Sequence, residues 1–215
     1  MSSILIGIYS LKIDSIMDDS SAIDFLRDYA KRTNRSVYSD ESRYPISSYR
    51  KIERYKSYAV IRDSEENGPF FVWLSDPYYA FGEYSVFSGV FIPVASKYDG
   101  SFYVRKRNVL DIFNLSHLVK TFGKKRPGFL SKVVISGKGG EQATELFSGT
   151  MAGNKVLEAL DISPAMRVGL NLPAVNFVPE LKDKNYIAII NPQEWILEKG
   201  AIESLFKLGN ELGKF

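Results

Sequence analysis

The run Tyr186-Ile-Ala-Ile-Ile190, then Asn191-Pro-Gln-Glu194, then Trp195-Ile-Leu-Glu-Lys-Gly-Ala-Ile-Glu-Ser-Leu-Phe206, decides how the rest of the chain is read. Its first part is short, apolar and rich in β-branched isoleucine, which suits a buried strand. Its second part carries the marks of a helix start. Asn191 can accept from an orphan backbone N–H, Pro192 sits where its missing N–H costs nothing, and Glu194 can reach back to the cap. Its third part is amphipathic, with Trp195, Ile202, Leu205 and Phe206 on one side. A strand feeding a capped helix buries apolar surface on both elements, so the other strands are expected to pack around this unit.

Working outward, the middle of the chain reads as strands. Tyr58–Arg62 and Phe70–Leu74 flank a turn-rich run with Asn67-Gly68, the pattern of a hairpin with a longer loop. Tyr84–Ala95 is strongly β, and Asp99-Gly100 turns the chain into Ser101–Arg105. These four runs predict an antiparallel meander. Phe129–Ser136, Met166–Leu172 and Ala174–Val178 read as further strands, and Glu141–Phe147 and Asn154–Leu160 as short helices. Val109–Phe122 is apolar at mixed spacing and reads as partly helical, and Gly123–Gly128 as a loop.

Toward the N-terminus, Asp19 or Ser20 caps an amphipathic helix from about Ala22 to Arg32, with Ile23, Phe25, Leu26, Tyr29 and Ala30 at helical spacings. Ile4–Ile13 fits both a strand and a helix. Residues 34–54 are polar and broken by Pro45, which suits a long connection, an edge strand or a mobile arm. Strands in the middle and helices at both ends give an α+β class: a largely antiparallel, twisted sheet packed by N- and C-terminal helices. Residues 1–54 read as an N-terminal helical segment and connection, and 55–215 as the α+β domain.

The 215 residues are 45% hydrophobic and 25% charged, enough for a sizeable core without covalent staples. Cysteine is absent, which excludes disulfides, thiolate metal sites and cysteine nucleophiles. The N-terminus has no basic leader region and its apolar run is broken by Lys12 and Asp14, and no stretch reaches the roughly 20 apolar residues of a membrane span. A cytoplasmic protein is expected.

Phe87-Ser-Gly-Val-Phe91, the Lys132-Val-Val-Ile-Ser136 strand, the helical Ala143-Thr-Glu-Leu-Phe147 and Tyr186–Ile190 follow in an order that resembles an uncharacterised bacterial domain family. In that family a strand pair around a phenylalanine-x-glycine step leads into strand, short helices, three strands and a helix. The resemblance covers Tyr84 to the end. It implies an α+β domain with no established activity, so it carries no catalytic residue across. Members are usually tethered by N-terminal membrane spans, which this sequence does not display.

The residues that carry chemistry are few. His117 is the one histidine, and no serine or carboxylate stands at a signature spacing to it, so a structural role is expected. One histidine cannot make a histidine-rich metal site. Asp14, Asp18 and Asp19, and the pair Glu65 and Glu66, lack the alternation and glycine of a calcium loop. Asp18 and Asp19 instead suit the N-terminal dipole of the following helix. Ser136-Gly-Lys-Gly-Gly-Glu141 lies between a strand and a helix, where phosphate loops sit, but completes neither glycine-rich signature. No cofactor and no metal are expected.

Net charge is +3 and the isoelectric point about 8.9, mildly basic. Arg105-Lys-Arg107 and Lys124-Lys-Arg126, with Phe102, Tyr103 and Phe122 nearby, would form an anion-binding patch if folding brought them together. The tyrosines Tyr44, Tyr49, Tyr55, Tyr58, Tyr78 and Tyr79 suit an interface, and an exposed sheet edge would invite strand pairing. The leading expectation is a non-catalytic binding or scaffold domain with a protein partner or self-association. The alternatives are a module binding nucleic acid or an anionic membrane surface through Arg105, Lys106, Arg107, Lys124, Lys125 and Arg126, and a hydrolase with an unidentified carboxylate pair.

Overall fold

A computed structural model of the chain describes residues 19–44, 54–63, 68–76, 85–95, 100–108, 111, 128–147 and 149–214. These residues form an eight-stranded, wholly antiparallel sheet with helices packed on it, an α+β architecture. The expectations for Ile4–Ile13, Asp14, Asp18, Tyr49, Glu65, Glu66, Tyr78, Tyr79, His117 and Lys124–Arg126 lie outside the described residues.

Helix α1 (Asp19–Arg32) leads into edge strand β1 (Val37–Tyr44), and β2 (Arg54–Arg62), β3 (Phe70–Ser75) and β4 (Val86–Val94) follow as a meander. Strand β5 (Ser101–Lys106) does not close that meander, as the sequence suggested. The next place beside β4 is taken by β8 (Asn185–Asn191), and the order across the sheet is β1-β2-β3-β4-β8-β7-β5-β6. Strand β6 is Val133–Lys138 and β7 is Arg167–Leu170. The displacement has a packing reason. Ile189 of β8 stands opposite Val90 on one side and Val168 on the other, and all three are fully buried. The opening stretch therefore forms an interior strand that stitches the two halves together.

Strand alternation gives the sheet two faces. One carries Ala59, Ile61, Phe71, Trp73, Val90, Ile92, Phe102, Val104, Val168 and Ile187. It is covered by α1, by α3 (Gly140–Phe147) and α4 (Thr150–Leu160), and by the closing helix α5 (Lys199–Leu212). Ile202, Leu205, Phe206, Leu208 and Leu212 of α5 are buried, and each such side chain contributes on the order of 1.5–3 kcal/mol. The other face carries Val60, Phe70, Val72, Leu74, Phe91 and Ala188. Ala174–Val178, expected as a strand, instead runs as turns that lay Val175, Val178 and Leu181 on this second face. The buried Tyr186 hydroxyl, pushed up to about 12 by burial, donates to the Pro173 carbonyl at 2.5 Å and ties that cover down.

Two further boundaries differ from the reading. Phe129–Lys132 is a helical turn, α2, ahead of β6. The closing helix begins at Lys199, not at Trp195. Asn191 does accept from the N–H groups of Gln193 (3.1 Å) and Glu194 (3.2 Å), as a cap would. The next residues are committed elsewhere: the Trp195 indole donates to the Leu74 carbonyl and the Ile196 N–H to the Ser88 hydroxyl at 2.6 Å. These tertiary bonds hold the chain out of a helix for another turn.

Gly89 sits where β4 meets β8, and a Cβ there would lie 2.1 Å from the Ile189 carbonyl oxygen. Gly89→Ala is expected to cost roughly 1–3 kcal/mol by forcing the central strands apart. Gly149→Ala, where nothing lies within 4 Å, is the matched control. Urea midpoints of the two variants check this, and equal midpoints would contradict it.

Candidate functional site

Arg105 and Lys106 end β5 and Arg107 follows it, and strand geometry separates them. Phe102, Val104 and Lys106 share the helix-covered face, whereas Tyr103 and Arg105 share the other. Arg105 is committed to a carboxylate. Its Nη1 donates to Asp111 Oδ2 at 2.7 Å and its Nη2 to Asp111 Oδ1 at 2.5 Å. Asp111 also accepts from the Asn108 N–H at 2.8 Å. The Arg105 bond is the main reason its carboxyl is pushed down to about 2, and Asp111 raises the Arg105 guanidinium in return. A depressed carboxyl contributes stability above its unfolded value and loses it as pH falls through the folded one. Asp111→Asn is therefore expected to cost about 1–2 kcal/mol near neutral pH and nothing below the folded value of about 2. Urea titrations from neutral pH down through that range check the window.

Lys106 and Arg107 face a different neighbourhood. Lys106 stands opposite Val133, and beyond the strand end the Arg107 N–H donates to the Lys132 carbonyl at 2.9 Å, continuing the ladder by one step. The Arg107 Nη2 donates to the Val133 carbonyl at 3.3 Å, which fixes the guanidinium against β6. The Lys106 ammonium pairs with Asp161, the residue closing α4. Around these groups lies a cleft of 640 Å³ lined by Lys106, Arg107, Asn108, Ser131, Lys132, Leu157 and Asp161. Among the described lining residues three cations face one carboxylate. Lysine ammonium groups offer point charge and arginine a planar fork of donors, a combination suited to phosphate or carboxylate oxygens.

The basic cluster read from the sequence is thus divided by the fold. Arg105 leaves it, Lys106 and Arg107 remain, and Lys132 joins with Ser131 and Asn108. Lys124, Lys125 and Arg126 lie outside the described residues. Reading Lys132 into the site required the β5–β6 pairing, which its place in the chain does not announce.

A second concavity of 410 Å³ lies against Arg105, Ser163, Pro164, Ala165, Arg167, Gln193 and Glu194. There the Arg167 guanidinium sits 4.4 Å over the Tyr103 ring. Its charges are mixed. Gly137, singled out for the phosphate-loop question, belongs to β6 at φ 114°, where a Cβ would meet the Ser101 carbonyl oxygen at 2.5 Å. Close strand approach explains that glycine. Asp19 sits in the first turn of α1, as the helix dipole favours. Tyr58, expected at an interface, is buried against Tyr38 and Phe177.

Among the described residues no group of three or more histidines or carboxylates is placed to hold a metal ion, and no helix is long and apolar enough to cross a membrane. Compared with protein-family models, curated proteins and solved structures, the chain matches none.

Proposed function

We propose that this chain is a non-catalytic binding domain that holds an anionic ligand in the cleft between the end of β5, the start of β6 and the C-terminus of α4. The observation that carries the reading is the convergence of Lys106, Arg107 and Lys132 on one 640 Å³ concavity. Arg107 is held by its bond to the Val133 carbonyl, so part of the ordering cost is met before a ligand arrives. The concavity is within the size range of ligand sites.

The test is binding of inorganic phosphate, a single-stranded oligonucleotide and anionic vesicles over a salt series. Binding at low salt that weakens as salt rises is expected. Neutralising Lys106, Arg107 or Lys132 to glutamine should each weaken it about tenfold, the worth of one charge-assisted hydrogen bond. Absence of binding to all three probes at low salt would contradict the proposal, as would binding that the three substitutions leave unchanged.

A further inference from the structure

The cleft contains one group that a simple anion would not want. Asp161 places a carboxylate, 59% exposed, among three cations. Its pairing with Lys106 lowers the positive field of the site and would repel a bare phosphate. The same carboxylate is a strong acceptor for hydroxyl groups. Ser131 points the same way. Its hydroxyl proton is given to the Gly128 carbonyl at 2.7 Å, which leaves Oγ as an acceptor only. Asn108 has its Oδ1 occupied by the Asp111 N–H at 3.0 Å, so its amide N–H groups are what it offers a ligand. Leu157 supplies an apolar wall, and among the described residues no aromatic ring lines the cleft. Base stacking on rings is the usual means of holding single-stranded nucleic acid, and the described lining does not supply it.

We infer that the ligand of this cleft is a phosphate monoester on a hydroxylated carbon skeleton, a sugar phosphate or the headgroup of a phosphorylated polyol lipid. The phosphate sits on Arg107 and Lys132, and Lys106 with Asp161 and Ser131 receives the neighbouring hydroxyls. This rests on the anion-binding reading and adds the carrier to it. Cations gathered around one cleft suit a terminal phosphate, whereas a polynucleotide backbone needs a continued track.

The experiment titrates the full chain with glucose 6-phosphate, inorganic phosphate and glucose, as wild type and as Asp161→Asn. Wild type is expected to take glucose 6-phosphate at least about tenfold more tightly than phosphate, one hydroxyl–carboxylate hydrogen bond being enough for that ratio. Asp161→Asn should erase the preference while phosphate binds as well or better, because Lys106 is released. Equal affinity of wild type for the two probes would overturn the inference and leave the anion reading standing. A preference that survives Asp161→Asn would overturn it as well. Failure of both phosphorylated probes at low salt would take down the anion reading itself. A parallel arm uses phosphatidylcholine vesicles with and without phosphatidylinositol 4-phosphate. Binding that needs the phosphorylated lipid and is weakened in Asp161→Asn places the phosphate on a lipid, and its absence alongside glucose 6-phosphate binding places it on a soluble molecule.

Discussion

Replacing Arg35 by methionine is expected to destabilise the protein by about 3 kcal/mol, since it strands carboxylates that the native fold pairs. Arg35 follows α1, and its side chain is 12% exposed. Its Nε donates to Asp63 at 3.2 Å, its Nη1 to Glu203 at 2.5 Å and its Nη2 to the other Glu203 oxygen at 2.9 Å. The buried Tyr29 hydroxyl accepts from Arg35 at 2.8 Å and donates to Glu203 at 2.7 Å. Asn210 of α5 donates to the remaining Asp63 oxygen at 2.8 Å. One guanidinium thus fastens the first helix, the last helix and the end of β2. In Arg35→Met, Asp63, 6% exposed, keeps Asn210 but loses the Arg35 guanidinium. Adding Asp63→Asn should recover part of the loss, because the buried charge goes with it. The Arg35 bond is the main cause of a lowered Glu203 carboxyl. Its contribution is therefore present above the ordinary glutamate value of about 4.3 and fades as pH falls through the folded one. Glu203 is half exposed, so solvent screening keeps that contribution small. Denaturant midpoints against pH check both statements. A wild-type midpoint that the substitution leaves in place would refute the fastening role.

Phe206→Ala is expected to cost about 3–5 kcal/mol, the range for emptying a buried phenylalanine site. Its ring is 1% exposed, lies 6.4 Å from that of Phe71 on β3 and carries the Arg35 guanidinium 4.3 Å above it. The loss combines lost burial, a cavity between helix and sheet and removal of the surface on which Arg35 rests. The two substitutions should therefore not add. A double-mutant cycle of Phe206→Ala with Arg35→Met is expected to show a coupling of at least about 0.5 kcal/mol, as contacting residues do. Strict additivity would mean the cation and ring do not support one another. Phe206→Leu keeps most of the volume and should cost well under the alanine figure.

Local chemistry was legible in the sequence and distant pairing was not. Tyr186–Ile190 announces a buried strand through composition alone, and it is one. Asn191 announces a cap and makes the cap's hydrogen bonds, yet no helix follows at once. The competing partners, the Leu74 carbonyl and the Ser88 hydroxyl, belong to strands more than a hundred positions earlier. Likewise β4, Asp99-Gly100 and β5 read as a hairpin because turn signals are local. The preference of Val90 for Ile189 as its neighbour is a property of the packed sheet. Ala174–Val178 has the composition of a strand, and its apolar residues are indeed buried, but as a lid of turns over an existing sheet face.

The candidate site divides in the same way. Arg105-Lys-Arg107 stands out as charge, and the period of two in a strand already implies that neighbours point apart. What it cannot supply is the identity of what each then meets. Asp111, which claims Arg105, lies close in sequence. Lys132 and Asp161, which complete the cleft, come from β6's approach and the end of α4. The pairings that bring them in are long-range, so the place of Asp161 in the cleft, and with it the hydroxylated ligand inferred above, emerges only from the folded chain.

Most rests on the proposal that Lys106, Arg107 and Lys132 form one ligand site. Its most direct test is amide NMR of the full chain during titration with inorganic phosphate at low salt. Saturable shifts are expected at Arg107, Asn108, Ser131 and Lys132, with the midpoint moved to about tenfold higher phosphate in Arg107→Gln. Shifts confined to residues 163–167 and 193–194 around the second concavity, or none anywhere, would contradict it.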